Sequence, residues 1–125
     1  MEKILIVDDD INLCQVLAEE LGEIGYRTTY KTNAEDAVEY ISSGGDKADL
    51  ILLDLKMPGK DGFYVLNELN RRMLSPKVIV LTAYADVKSA IESARLGAAD
   101  FISKPYDLDE LLISIRKVLQ KEYEN

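Results

Sequence analysis

Histidine and tryptophan are absent from these 125 residues, and cysteine occurs once, at Cys14. Without histidine there is no imidazole base, no imidazole metal ligand and no phosphohistidine, so any phosphoryl chemistry must run through carboxylates. A single cysteine cannot close an internal disulfide, which fits a reducing, cytoplasmic setting. No apolar run approaches the roughly 20 residues that cross a bilayer. The chain also runs straight into a strand pattern, so neither a signal peptide nor membrane association is expected. Fifteen basic residues face 23 acidic ones, a net charge of −8. That balance disfavours nucleic-acid binding by this domain and suits protein partners. A composition of 47% hydrophobic and 30% charged residues is ordinary for a globular protein. The length fits one domain, 1–125, with no effector domain expected in this chain.

Apolar runs alternate with helical periodicity along the sequence. Strands are expected at 3–7, 26–30, 49–54, 78–81 and 100–103, and helices at 11–24, 34–43, 63–73, 86–96 and 107–122. The expected inward faces are Leu13, Leu17, Leu21 and Ile24 on the first helix, and Val87, Ile91 and Ala94 on the fourth. On the last helix they are Leu108, Leu111, Leu112, Ile115 and Leu119. Five βα units in a row imply an α/β fold, a parallel sheet with helices on both faces. The first, third and fourth strands are continuously apolar and belong in the middle, with the other two at the edges. That is the doubly wound, flavodoxin-like (βα)5 order 2-1-3-4-5, whose ligand cleft lies beyond the carboxyl ends of strands 1 and 3.

Acidic residues stand at those two ends. Asp8, Asp9 and Asp10 follow Ile4–Val7, and Asp54 follows Leu50–Leu53. Two carboxylates about 4 Å apart repel by roughly 4 kcal/mol at an effective dielectric near 20, a penalty that a bound cation would offset. Oxygen ligands alone, and few of them, point to Mg²⁺ more than Ca²⁺. Asp10 precedes the helix and suits an N-cap instead. Strand 4 ends in Thr82 and strand 5 in Lys104, which adds a hydroxyl and an ammonium to the same rim.

Asp8-Asp9, Asp54, Thr82 and Lys104, with Met57-Pro58 and Asp61-Gly62, closely resemble the receiver domain of bacterial two-component response regulators. The resemblance covers the whole chain and is nearest in flavour to receivers of NtrC-type transcription activators. It implies that Asp54 accepts a phosphoryl group from a sensor histidine kinase or phosphotransfer protein. It further implies that Asp9, Asp54 and the Lys56 main-chain carbonyl ligate Mg²⁺, replaceable by Mn²⁺, with Asp8 in support. Lys104 and Thr82 would bind the phosphoryl group. Thr82 and Phe101 would form the switch, the Lys104-Pro105 bond would be cis, and Lys56 and Tyr84 would tune loss of the phosphoryl group. The output face, helix 4–strand 5–helix 5, would include Leu96, Tyr106 and Ile113. It would engage a downstream protein, a fused effector domain or, after phosphorylation, a second copy. Such a domain catalyses only its own phosphorylation and dephosphorylation and is not an enzyme on external substrates.

Two other readings remain open at this level. A haloacid-dehalogenase-like phosphotransferase would use Asp8, not Asp54, as nucleophile, although no cap domain or later acidic motif is visible. A flavin-binding module would need a Ser/Thr/Gly-rich phosphate loop after strand 1, where this chain has acids.

Overall fold

A computed structural model describes residues 2–44 and 47–120. The elements alternate strictly: β1 (Lys3–Val7), α1 (Ile11–Ile24), β2 (Arg27–Lys31), α2 (Ala34–Ser42) and β3 (Leu50–Leu53). They continue with α3 (Gly62–Arg71), β4 (Lys77–Thr82), α4 (Val87–Arg95), β5 (Asp100–Ser103) and α5 (Leu108–Gln120). All pairings are parallel, in the order β2-β1-β3-β4-β5. The expected architecture is therefore the observed one. Residues 121 and 122, expected to extend the last helix, lie outside the described residues.

Period-two alternation divides the central strands between two cores. Ile4, Ile6, Leu50, Leu52, Ile79, Leu81 and Ile102 face α1 and α5. Leu5, Val7, Ile51, Leu53 and Val78 face α2 and α3. Because both faces are covered, polar groups on β1 and β3 can reach solvent only at the strand ends. All five helices begin with a side-chain cap: Asp10 accepts from Leu13 N–H, Asn33 from Asp36, Asp61 from Tyr64, Asp86 from Ser89 and Asp107 from Glu110. Each such cap contributes about 1 kcal/mol.

Two helix faces differ from the sequence-based expectation. In α1 the buried stripe is Cys14, Leu17 and Leu21, while Ile24 is exposed. The chain leaves the helix at Gly25 (φ +121°), and Tyr26 packs against the core beyond it. In α4 the expected faces are reversed. Val87 and Ile91 are 76% and 56% exposed, and the one buried helix residue is Ser93. Leu96, expected on the outside, caps α4 and packs against the α2–α3 core. The inward side of α4 carries its small residues, buried Ser93 and half-buried Ser89 and Ala90, and the bulky branched ones point outward.

Helix α3 ends in a hydrogen-bonded C-terminal motif, with Met73 N–H on Asn70 O (3.1 Å) and Leu74 N–H on Leu69 O (2.9 Å). The left-handed position that glycine usually fills is occupied by Met73, at φ +58° and 90% exposed. Met73→Gly is expected to raise stability by about 0.5–1 kcal/mol by relieving that backbone strain. An unchanged denaturation midpoint would contradict this.

Candidate functional site

The parallel ladder continues one residue past β1 and β3. Asp8 N–H bonds Lys31 O (3.2 Å) and Asp54 N–H bonds Val7 O (2.9 Å), so both side chains emerge at the same rim. Behind Asp54 the turn folds tightly onto α3: Gly62 N–H donates to Leu55 O at 3.0 Å. A Cβ at Gly62 would lie 2.3 Å from Asp54 O and 2.8 Å from Leu55 Cα, so only glycine lets α3 start there.

Asp8, Asp9 and Asp54 each present a carboxylate oxygen within 4.8 Å of the others. Among the described residues this is the one such group of three able to share an ion. Asp8 and Asp54 are buried and Asp9 is exposed, which leaves the cluster open on one side. Asp10 caps α1, as expected, and its own N–H bonds Asp8 Oδ1 at 2.9 Å.

Lys104 reaches into this cluster. Its Nζ lies 2.5 Å from Asp8 Oδ2 and 3.6 Å from Asp54 Oδ2. One ammonium thus contacts two of the three carboxylates, so it offsets their mutual repulsion only in part. Burial raises the Asp8 pKa above its ordinary value, against the pull of Lys104 and the Asp10 N–H. Burial works to lower that of Lys104, but the Asp8 carboxylate, and then Asp54, outweigh it and the net shift is upward. These two shifts pull the pair in opposite senses, one towards neutral Asp8 and the other towards charged Lys104. The ion-pair contact at Asp8 Oδ2 requires an ionised carboxylate, so a charged pair is the state the geometry supports.

Thr82 is fully buried, and its hydroxyl donates to Asp54 Oδ1 at 2.8 Å. The same hydroxyl oxygen accepts from Tyr84 N–H (3.1 Å), and Lys56 N–H lies 3.3 Å from Asp54 Oδ1. Asp54 is therefore held by neutral donors on one oxygen and faces a cation on the other. Four strand ends build this rim, and an ion or anionic group entering it meets carboxylates, a hydroxyl and an ammonium together.

The family profile described as the response regulator receiver domain matches residues 4–116. The chain belongs to that family. The receiver is 36% identical over 120 residues to the regulatory protein AtoC of Escherichia coli, covering 96% of this chain and 26% of AtoC. It is also 36% identical over 118 residues to sporulation initiation phosphotransferase F of Bacillus subtilis, covering 94% of each chain. The response regulator protein TrrA of Thermotoga maritima, solved in complex with Mg²⁺-BeF, matches with a TM-score of 0.83 and 37% identity. That match covers 95% of this chain and 100% of TrrA. The receiver thus spans about a quarter of AtoC but nearly all of the sporulation phosphotransferase.

Around the receiver's acidic cleft the remaining candidates are scattered. Lys56 is exposed, its Nζ 4.8 Å from the centre of the Tyr84 ring, so the two side chains meet beside Asp54. Phe101 is half-buried and pairs in register with Val80; strand alternation turns it away from the core that holds Ile102. The Lys104-Pro105 bond is cis. Of the three residues expected on an outer face, Ile113 is exposed (58%), Leu96 packs inward, and Tyr106 is half-buried with its hydroxyl on Glu20. Leu96 and Tyr106 thus depart from an open partner face. Cys14, unsuspected as a neighbour of the site, is wholly buried and its thiol donates to Asp8 O at 3.3 Å. Burial, and then the charges of Asp8 and Asp10, push that thiol up to about 11. Neither the Cys14 nor the Glu20 contact has a sequence signature, because each depends on how α1 docks.

Proposed function

We propose that this receiver accepts a phosphoryl group on Asp54 and uses it to signal to a protein partner. The observation that carries this reading is the placement of Asp54. It is a buried carboxylate at a strand end, flanked by two more acids, a hydroxyl at 2.8 Å and an ammonium at 3.6 Å. An ionised carboxylate is already a nucleophile and needs no general base, which suits a chain without histidine.

The donor set fits a hard divalent cation. Asp9, Asp54 and the Lys56 main-chain carbonyl would hold Mg²⁺, or Mn²⁺ in its place, and Asp8 would support it. Three carboxylates against one ammonium leave the charge imbalance that such an ion corrects. TrrA, 37% identical, is a relative that holds Mg²⁺-BeF. When bound, the ion supplies charge neutralisation to the transferred group.

In the transfer, an Asp54 oxygen forms a bond to phosphorus as the bond from phosphorus to the donor's leaving group breaks. Lys104, next to Asp54 Oδ2, balances charge on the equatorial oxygens. Thr82 exchanges its bond to Asp54 Oδ1 for one to a phosphoryl oxygen, which draws the β4–α4 turn inward. Phe101, on the neighbouring strand, follows as the switch, and the α4–β5–α5 face with exposed Ile113 carries the output. Lys56 and Tyr84, in contact beside Asp54, set how readily water reaches the acyl phosphate.

A sensor histidine kinase or phosphotransfer protein is the proposed donor. The recipient of the signal is a separate protein, an effector domain fused to this one, or a second copy. AtoC is about four times the length of the matched region, whereas the sporulation phosphotransferase is matched over nearly its whole length. The domain acts on itself and has no turnover on an external substrate, and its lone cysteine suits the cytoplasm. No helix among the described residues is long and apolar enough to cross a membrane. Incubation with acetyl phosphate and Mg²⁺ is expected to add one phosphoryl group by intact mass, and EDTA to prevent it. A mass unchanged under both conditions would refute the proposal.

A further inference from the structure

The loop that carries Lys104 is tied to the rest of the fold at an unexpected point. Upstream, Lys104 N–H bonds Thr82 O at 2.9 Å. Downstream, the first side chain after Pro105 is Tyr106, whose ring packs against the α1–α5 core. Its hydroxyl donates to Glu20 Oε1 at 2.7 Å, across 86 residues of sequence. Glu20 lies on α1, the helix that begins immediately after the Asp8–Asp10 run. Helix α1 is itself fastened to Asp8 through the Cys14 thiol. The two partners of the Lys104–Asp8 ion pair are therefore joined a second time, through Tyr106, Glu20 and α1.

We propose that the Tyr106–Glu20 hydrogen bond is a clamp that positions the Lys104 ammonium over Asp8 and Asp54. The idea rests on the functional reading above, because it assigns to Tyr106 and Glu20 the control of a lysine that serves phosphoryl transfer. Burial, and then the Glu20 carboxylate, raise the Tyr106 pKa, so the phenol remains a hydrogen-bond donor at neutral pH. The half-buried ring packs without its hydroxyl, so Tyr106→Phe removes the clamp and keeps the core.

A loosened Lys104 has two consequences of opposite sense. It stabilises the incoming phosphoryl group less well, which slows labelling. It also competes less well with a divalent cation for Asp8, which tightens metal binding. A mere weakening of the fold would impair both.

The test measures two quantities on the full chain: the rate of Mg²⁺-dependent labelling by acetyl phosphate, and the Mg²⁺ dissociation constant from titration with the metal alone. For Tyr106→Phe the labelling rate is expected to fall by about threefold to tenfold, the net effect of losing one ordinary intramolecular hydrogen bond. The Mg²⁺ dissociation constant is expected to fall by about twofold to threefold, since the competing ammonium is retained but less well held. Glu20→Gln, whose amide oxygen still accepts the bond from Tyr106, should keep both values close to those of the unaltered chain. In a Lys104→Met background, Tyr106→Phe should leave Mg²⁺ affinity unchanged. The clamp is overturned if Tyr106→Phe alters neither quantity, weakens both, or shifts metal affinity equally with Lys104 absent. Failure of the unaltered chain to bind Mg²⁺ would instead refute the functional reading itself.

Discussion

Gly62→Ala is expected to destabilise the domain by about 3 kcal/mol, at the upper end of what overpacking costs in a close-packed interior. The new methyl group would stand 2.3 Å from Asp54 O and 2.8 Å from Leu55 Cα, distances that carbon atoms do not tolerate. Both obstructing atoms belong to the backbone, so no rotamer change relieves the clash. Either α3 lifts from β3 or the Asp54 peptide moves. The second response displaces the carboxylate, so the folded fraction is also expected to bind Mg²⁺ more weakly. Gly59→Ala is the control. Gly59 has φ +74° but nothing within 4 Å of the added Cβ, so only backbone strain of about 1–2 kcal/mol is expected. Urea denaturation of the two variants tests the comparison. Equal losses would mean that close approach at Gly62 is not what excludes a side chain.

Mg²⁺ is expected to stabilise the native domain by about 2.7 kcal/mol at a free concentration about 100 times its dissociation constant, as any ligand of the folded state alone must. For a domain of this size that corresponds to a rise of roughly 10 °C in Tm. The gain comes from relieving repulsion among Asp8, Asp9 and Asp54, which Lys104 offsets only in part. Asp9→Asn removes the exposed ligand without disturbing the buried pair, and the metal-induced rise is expected to disappear. Lys104→Met has the opposite consequence. A neighbouring unit charge repels a dication by about 1–2 kcal/mol even under water-like screening, so Mg²⁺ is expected to bind about tenfold more tightly. The same variant should accept phosphoryl groups poorly. A rise in Tm that survives Asp9→Asn would show that the ion sits elsewhere.

The sheet order was legible in the sequence because strand burial is written in composition. Ile4–Val7 and Leu50–Leu53 are apolar at every position, which is affordable only in the middle of a parallel sheet, whereas Arg27–Lys31 is polar and lies at an edge. The cleft followed from that order, since Asp8 and Asp54 had to emerge together wherever β1 and β3 were neighbours. The face of α4 was not legible. Period-3.6 reasoning assumes that the bulkiest apolar stripe faces the core, yet here Val87 and Ile91 point outward and Ser93 is the helix residue that is buried. Leu96 packs inward beyond the end of the helix, where helical periodicity no longer sets its direction. The tie between Tyr106 and Glu20 was hidden too. It joins residues on elements that periodicity places only separately, and neither residue type announces a partner 86 positions away.

Site mapping of the label is the most direct check on the central claim, that Asp54 is the nucleophile of a cation-dependent cleft. The domain is incubated with acetyl phosphate and Mg²⁺, trapped by borohydride reduction and digested, and the modified peptide is sequenced by mass spectrometry. The modification is expected on Asp54 alone, absent from Asp54→Ala and retained by Asp10→Ala. A label on Asp8, or one that persists in Asp54→Ala, would contradict the account.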